Sequence, residues 1–298
     1  MHLTSELAAA IIGAQFPELR PVEATFLGEG YDSVAFDVNG RWVFRFPKRP
    51  DVERQLFIER RILPLLADRA PVPVPSFSFH GVPAAGFPRH FAGYARLAGV
   101  PAIGLDASSA NAPVLGEFLS VLHAVPAEIA ADLDVPRYDP ALLLEEVREE
   151  ALSDLHLVRD AMPDVSVGEW RPLIEAGPRD GDAGAISPVL VHGDLAAEHI
   201  LVDPAGGAVT GVIDWSEIAL GDPAIDFAGM WHWGGSMLAG AVLSRYARSH
   251  DPGLIDRARY FGACRGIADI LFGLETARPE YISAGTRALS LCTPQVNP

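Results

Sequence analysis

The 298-residue sequence predicts an α+β fold of two lobes, a small antiparallel sheet lobe followed by a larger, mainly helical lobe. Three observations carry that prediction. Strand and hairpin signals crowd the first third of the chain, amphipathic helical periodicity dominates the rest, and one short hairpin signature interrupts the helical part near its middle.

The first strands run over Thr25 to Gly30, Ser33 to Val38 and Arg41 to Phe46. Asn39-Gly40 joins the last two, a pair suited to a two-residue turn because both residues tolerate positive φ. After Pro50, Leu56, Ile62, Leu63 and Leu66 share one face of a helix over Val52 to Ala67, which Pro64 should kink or end early. Pro71, Pro73 and Pro75 keep the chain extended into strands at Phe77 to Phe79 and Phe91 to Leu97. Gly99 to Pro113 lacks periodicity, so the lobes divide just before it, into residues 1–98 and 99–298. Helices follow at Val114 to Leu122 and Leu142 to Leu157. Val189 to Val191 then leads into His192-Gly193-Asp194, and Ile200 to Val202 and Val209 to Ile213 flank the turn Asp203-Pro204-Ala205-Gly206-Gly207.

Composition narrows the function. A net charge of −16 repels nucleic-acid backbones and favours a polycationic small molecule as partner. No basic leader or long apolar run suggests export or a membrane span, so a cytoplasmic protein with no membrane partner is expected, most simply a monomer. Cys264 and Cys292 are too few and too far apart for a disulfide framework and read as core residues.

The interrupting hairpin carries the chemistry. Asp194 precedes its first strand and Asp214 follows its second, so antiparallel pairing returns both carboxylates to one end. Phosphoryl transfer needs such a pair, one to orient an incoming hydroxyl and one to hold magnesium against nucleotide phosphates. His199, at the junction of loop and strand, can turn toward the same metal or its bound water.

The segment VLVHGDLAAEHILVDPAGGAVTGVID, Val189 to Asp214, resembles the catalytic core of the aminoglycoside phosphotransferase family, which includes macrolide kinases and whose fold is similar to that of protein kinases. The resemblance implies that Asp194 positions the acceptor hydroxyl, Asp214 chelates Mg2+ and His192 fixes the catalytic loop. His199 stands where the family most often has Asn, and its imidazole is a softer ligand than an amide oxygen. In the first lobe, Gly28-Glu29-Gly30-Tyr31-Asp32-Ser33 resembles the loop over the nucleotide phosphates, with Gly28, Gly30 and Ser33 as candidate contacts. Arg45 occupies the place of the family's phosphate-anchoring Lys, with Lys48 nearby, and Glu59 matches its helical partner. The stretch Phe91 to Gly99 resembles the hinge that bonds the purine, through Tyr94, Arg96 and Leu97.

Asp222 and Asp226 match a segment that buttresses the catalytic loop. Trp231 could line an acceptor site, although ordinary packing is the preferred reading, and Glu275 could meet a drug amine from a helix bordering the cleft. The resemblance thus implies an antibiotic kinase using ATP or GTP with Mg2+. Its acceptor is an aminoglycoside, or alternatively a macrolide or another hydroxylated metabolite. A non-catalytic drug-binding pseudokinase is the rival from a different class.

Overall fold

The computed structural model describes residues 3–162, 167–178 and 186–293. Helix α1 (Ser5–Gln15) opens the chain, capped by the Thr4 hydroxyl, which accepts from the Leu7 amide. Strands β1 (Ala24–Glu29), β2 (Ser33–Val38) and β3 (Trp42–Pro47) follow, then α2 (Pro50–Ala67), β4 (Phe77–Gly81) and β5 (Phe91–Ala95). They form one antiparallel sheet in the order β1-β2-β3-β5-β4. Asn39 and Gly40 take φ of 57° and 65°, as the hairpin signal requires.

An aromatic cluster holds this lobe together. Phe46 stacks on Phe91 with centroids 4.5 Å apart, and Phe44 stacks on Phe79 at 5.4 Å. All four rings are buried, each contributing about 1.5–3 kcal/mol of apolar transfer. Pro64 does not end α2. The helix runs through it to Ala67 because Leu63 and Leu66 on either side are buried, and their burial offsets the loss of one backbone bond.

Past the sheet, β6 (Val100–Pro101) pairs at once with Leu201 and Val202, so the segment expected to be irregular begins as a strand. Then come α3 (Ala112–Leu122), α4 (Ala127–Asp132), α5 (Pro140–Ala161), α6 (Val167–Ala176), β7 (Val189–Val191), β8 (Ile200–Val202), β9 (Val209–Val212) and β10 (Ala219–Gly221). Helices α7 (Ala224–Leu243), α8 (Leu254–Thr276) and α9 (Pro279–Cys292) complete the chain. The order β6-β8-β9 makes one small sheet and β7 with β10 another, both resting on a helical core that includes Trp215, Phe118, Phe227 and Tyr260. Among the described residues no helix is long and apolar enough to cross a membrane.

Candidate active site

The loop after β7 is built to hold one carboxylate still. Gly193 takes φ of 86°, and a side chain there would strike the Glu217 carbonyl, so glycine is required twice over. At the start of α7, the buried Asp226 carboxylate accepts from the His192 amide at 2.9 Å and the Gly193 amide at 3.1 Å. It also meets His123 Nε2 at 3.0 Å, whose other nitrogen reaches the Tyr246 hydroxyl. His192 Nδ1 accepts from the Asp194 amide at 3.2 Å, which leaves Nε2 to donate to the Ile213 carbonyl at 3.0 Å. Burial lowers the His192 pKa, in keeping with that neutral form. One imidazole therefore ties the residue before Asp214 to Asp194 itself.

The hairpin does the rest. Its strands pair from Ile200 opposite Val212, and the turn closes where Gly207 donates to the Asp203 carbonyl at 2.7 Å. Asp214 follows with φ of 60°, a left-handed conformation that Asp tolerates better than most residues. Its Oδ2 lies 3.7 Å from His199 Nε2, and Asp194 Oδ2 lies 3.4 Å from His199 Nδ1. Both carboxylates thus converge on one imidazole. Burial pushes the pKa of Asp214 up, but Arg45, His199 and the Ser216 hydroxyl outweigh it and hold the carboxyl down to about 2.

A divalent cation fits these donors. His199 Nδ1 lies 2.7 Å from the Asp194 carbonyl. Burial opposes a charge on the imidazole, yet Asp194, Asp214 and Glu198 outweigh it and raise the pKa, so a cation beside Asp214 would take the place of a proton at Nε2. Asp214 offers an ionised oxygen beside it. Among the described residues no group of three or more His, Cys, Asp or Glu could hold a metal ion by itself.

The small lobe presents its cation from above. Arg45, on β3, donates through Nη1 to Glu59 of α2 at 2.8 Å and through Nη2 to Asp214 at 3.3 Å. Burial lifts Glu59 to about 7 against the pull of Arg45. Lys48 is employed elsewhere, bonded to the Gly30 carbonyl at 2.8 Å and paired with Glu29. Gly28, Gly30, Ser33, Arg45, Tyr94, Arg96 and Leu97 line an interlobe cleft of about 1120 Å³ together with Asp194, His199, Asp214 and Glu275. The backbone amide of Arg96 is already donated to the Arg41 carbonyl, and its guanidinium to Asp37 at 2.6 Å. Glu59 stands behind the cleft wall, reached through Arg45.

Toward α8, Glu275 accepts from the Tyr31 hydroxyl at 3.1 Å, and the Tyr31 ring packs edge-on against Phe272 at 5.3 Å. Trp231 does not join them. It is buried in α7 within the helical core and is absent from the cleft lining, which accords with packing. Asp222 also faces inward, fully engaged with Arg257 at 2.6 and 3.1 Å.

Sequence reasoning missed Arg265 of α8, which donates to Asp194 and also to Glu198 at 2.7 Å. The clue was available in GACRGIADILF, where two charges four residues apart sit in an otherwise apolar helix and must be paired if buried. Glu150 and Asp154 of α5 also line the cleft, and neither stood out in the sequence.

A nucleotide-sized cleft between a sheet lobe and a helical lobe, with paired carboxylates at its floor and a cation tethered to a helical Glu above, defines a protein-kinase-like phosphotransferase. The profile of the phosphotransferase enzyme family, APH, matches residues 23–261, and the chain belongs to that family. Among solved structures, the GDP and kanamycin complex of APH(2")-IIia is 26% identical with a TM-score of 0.71, the match covering 96% of this chain and 97% of that one. The macrolide 2'-phosphotransferase MphH from Brachybacterium faecium is also 26% identical, with a TM-score of 0.57 and 93% of each chain covered. The uncharacterized protein YcbJ of Bacillus subtilis (strain 168) is 30% identical over 203 residues, which are 64% of this chain and 62% of that protein's length.

Proposed function

We propose that this protein is a magnesium-dependent antibiotic kinase that moves the terminal phosphoryl group of ATP or GTP onto a hydroxyl of an aminoglycoside. The observation that carries this reading is the convergence of Asp194 and Asp214 on His199 beneath Arg45. Asp214 and His199 hold Mg2+, which when bound screens the phosphate charge. Arg45 keeps Nη1 on Glu59 and turns Nη2 from Asp214 to a phosphate oxygen. Gly28, Gly30 and Ser33 bring backbone and hydroxyl donors close to the same phosphates, while the segment around Tyr94 and Leu97 receives the base. Asp194 accepts a hydrogen bond from the acceptor hydroxyl, aligns its oxygen with the terminal phosphorus, and takes the proton as the new P–O bond forms and the bond to the nucleoside diphosphate breaks. Trp231 has no part in this scheme.

A cationic acceptor is supported by charge. Carboxylates outnumber guanidinium groups in the cleft, and burial with repulsion from Glu150 and Glu275 raises the pKa of Asp154, a field that an ammonium group relieves. One observation favours the macrolide alternative. Beyond Asp194 opens a pocket of about 380 Å³ whose walls include Leu143, Val147, Ile225 and Phe261, suited to an apolar ring. We further infer a cytoplasmic monomer without nucleic-acid or membrane partners, in keeping with its acidity.

The test is nucleotide consumption with magnesium, measured in parallel with kanamycin-like, gentamicin-like and erythromycin-like compounds. Drug-dependent diphosphate release with an aminoglycoside supports the reading. Release with the macrolide alone moves the assignment to the alternative, and drug binding without release favours a pseudokinase.

A further inference from the structure

Helix α8 sends one charged side chain into the catalytic loop. Arg265 Nη1 donates to Asp194 Oδ1, and Nη2 donates to Glu198 Oε1 at 2.7 Å. A guanidinium can do this because its donors form a rigid planar fork. Asp194 and Glu198 bracket the segment Leu195-Ala196-Ala197, so a single cation staples both ends of the loop to the helix.

Asp194 has few other restraints on its carboxylate. Among the described residues, the hydrogen bond that reaches those oxygens comes from Arg265. His199 Nδ1 stands 3.4 Å from Oδ2, yet its proton is directed to the Asp194 backbone carbonyl at 2.7 Å. Oδ1 is therefore held while Oδ2 is left to receive a hydrogen bond. That is the asymmetry a hydroxyl-orienting carboxylate needs.

The staple is itself anchored. Glu198 is 6% exposed, so its carboxylate meets the Arg265 guanidinium inside the fold rather than in solvent. One turn along α8, Asp269 Oδ2 lies 2.8 Å from His232 Nε2 of α7. The loop also lies so close to α7 that a side chain at Gly229 would strike the Leu195 carbonyl. Another turn beyond Asp269, α8 presents Phe272 and Glu275 to the cleft.

We propose that Arg265 is a positioning residue for phosphoryl transfer, locking the Asp194 carboxylate through Oδ1 and coupling its orientation to the helix that borders the acceptor. This inference rests on the kinase reading given above. Arg265 neither touches the phosphates nor accepts the proton; it acts through Asp194.

The experiment compares wild type with Arg265→Met, Arg265→Lys and Arg265→Ala in magnesium-nucleotide binding, in turnover and in urea denaturation. Arg265→Met should keep nucleotide affinity and the KM for nucleotide while kcat falls by about 100-fold, the scale of a misaligned reacting group. Arg265→Lys, with a point charge unable to span both carboxylates, should recover part of the loss. Low-millimolar guanidinium chloride should raise the turnover of Arg265→Ala and leave Asp194→Ala inert, a response that loss of packing alone does not produce. A folded Arg265→Met with near-normal kcat would overturn the proposal, as would failure of guanidinium to rescue Arg265→Ala. Where Arg265→Met does not fold, Arg265→Lys and the rescue decide.

If wild type phosphorylates no drug tested, the assigned acceptor fails while Arg265 is still tested. Acceptor-independent nucleotide hydrolysis then replaces drug turnover, and a cycle of Asp194→Asn and Arg265→Met gives a readout free of activity. Strictly additive shifts in the denaturation midpoint would overturn the staple, and non-additive shifts support it.

Discussion

Arg45 Nη2 lies 3.3 Å from Asp214 Oδ1, so a cation carried by the sheet lobe touches a carboxylate of the catalytic hairpin across the cleft. The same guanidinium is bound to Glu59. The planar fork lets one side chain serve both acids, which a lysine ammonium at the end of a flexible stem does less well. Replacement by Met should lower kcat/KM for nucleotide by about 100-fold through loss of a preorganised donor at the phosphates. Arg45→Lys should fall between the two, as steady-state kinetics with varied nucleotide will report.

If His199 ligates the metal as proposed, its imidazole should set a metal preference. Nitrogen is a softer donor than an amide oxygen, so wild type should gain more from Mn2+ relative to Mg2+ than a His199→Asn variant does. Comparing the ratio of turnover in the two metals for both proteins checks this. Equal ratios would remove His199 from the coordination shell.

Tyr31 ties the glycine-bearing turn to α8 through Glu275 and Phe272. Tyr31→Phe keeps the ring contact and loses one exposed hydrogen bond, so its effect should be small. Tyr31→Ala loses both and should speed nucleotide dissociation further, measurable by stopped-flow release of a fluorescent nucleotide.

Asp222 and Arg257 form a buried pair at 2.6 Å, with each side chain only 2% exposed. Asp222→Ala leaves the Arg257 charge without that partner and should cost about 3–5 kcal/mol in denaturant unfolding. Asp251, which also accepts from Arg257, makes the pair sensitive to acid. Its pKa lies below the usual 3.8 chiefly because Arg257 donates to it. A carboxyl with a lowered folded pKa contributes stability that is present above 3.8 and lost as pH falls below that value. Asp251→Asn should therefore flatten the low-pH limb of a plot of melting temperature against pH.

Much of the site was legible because it is encoded locally. Asp194 and Asp214 belong to one hairpin whose turn and strands are marked by short-range signals, and its closure fixes their convergence. Arg45 and Glu59 lie on adjacent elements, a strand and the helix after it, and meet as expected. What was not legible depends on distant packing. Arg265 reaches Asp194 from a helix far along the chain, and no local pattern says which way a charge in an apolar helix will point. The pairing of Val100 and Pro101 with the catalytic hairpin is equally non-local. Pro64 misled because its local cost is real, yet the burial of Leu66 beyond it decides the outcome. Helix α1 was signalled by Thr4 before an alanine-rich stretch and could have been read from that cap.

The most direct measurement is magnesium-nucleotide affinity and acceptor phosphorylation side by side for wild type and Asp194→Ala, with product followed by mass spectrometry. Unchanged nucleotide affinity together with loss of the phosphorylated drug is the predicted result. Phosphorylated drug formed by Asp194→Ala at a rate near that of wild type would contradict the account.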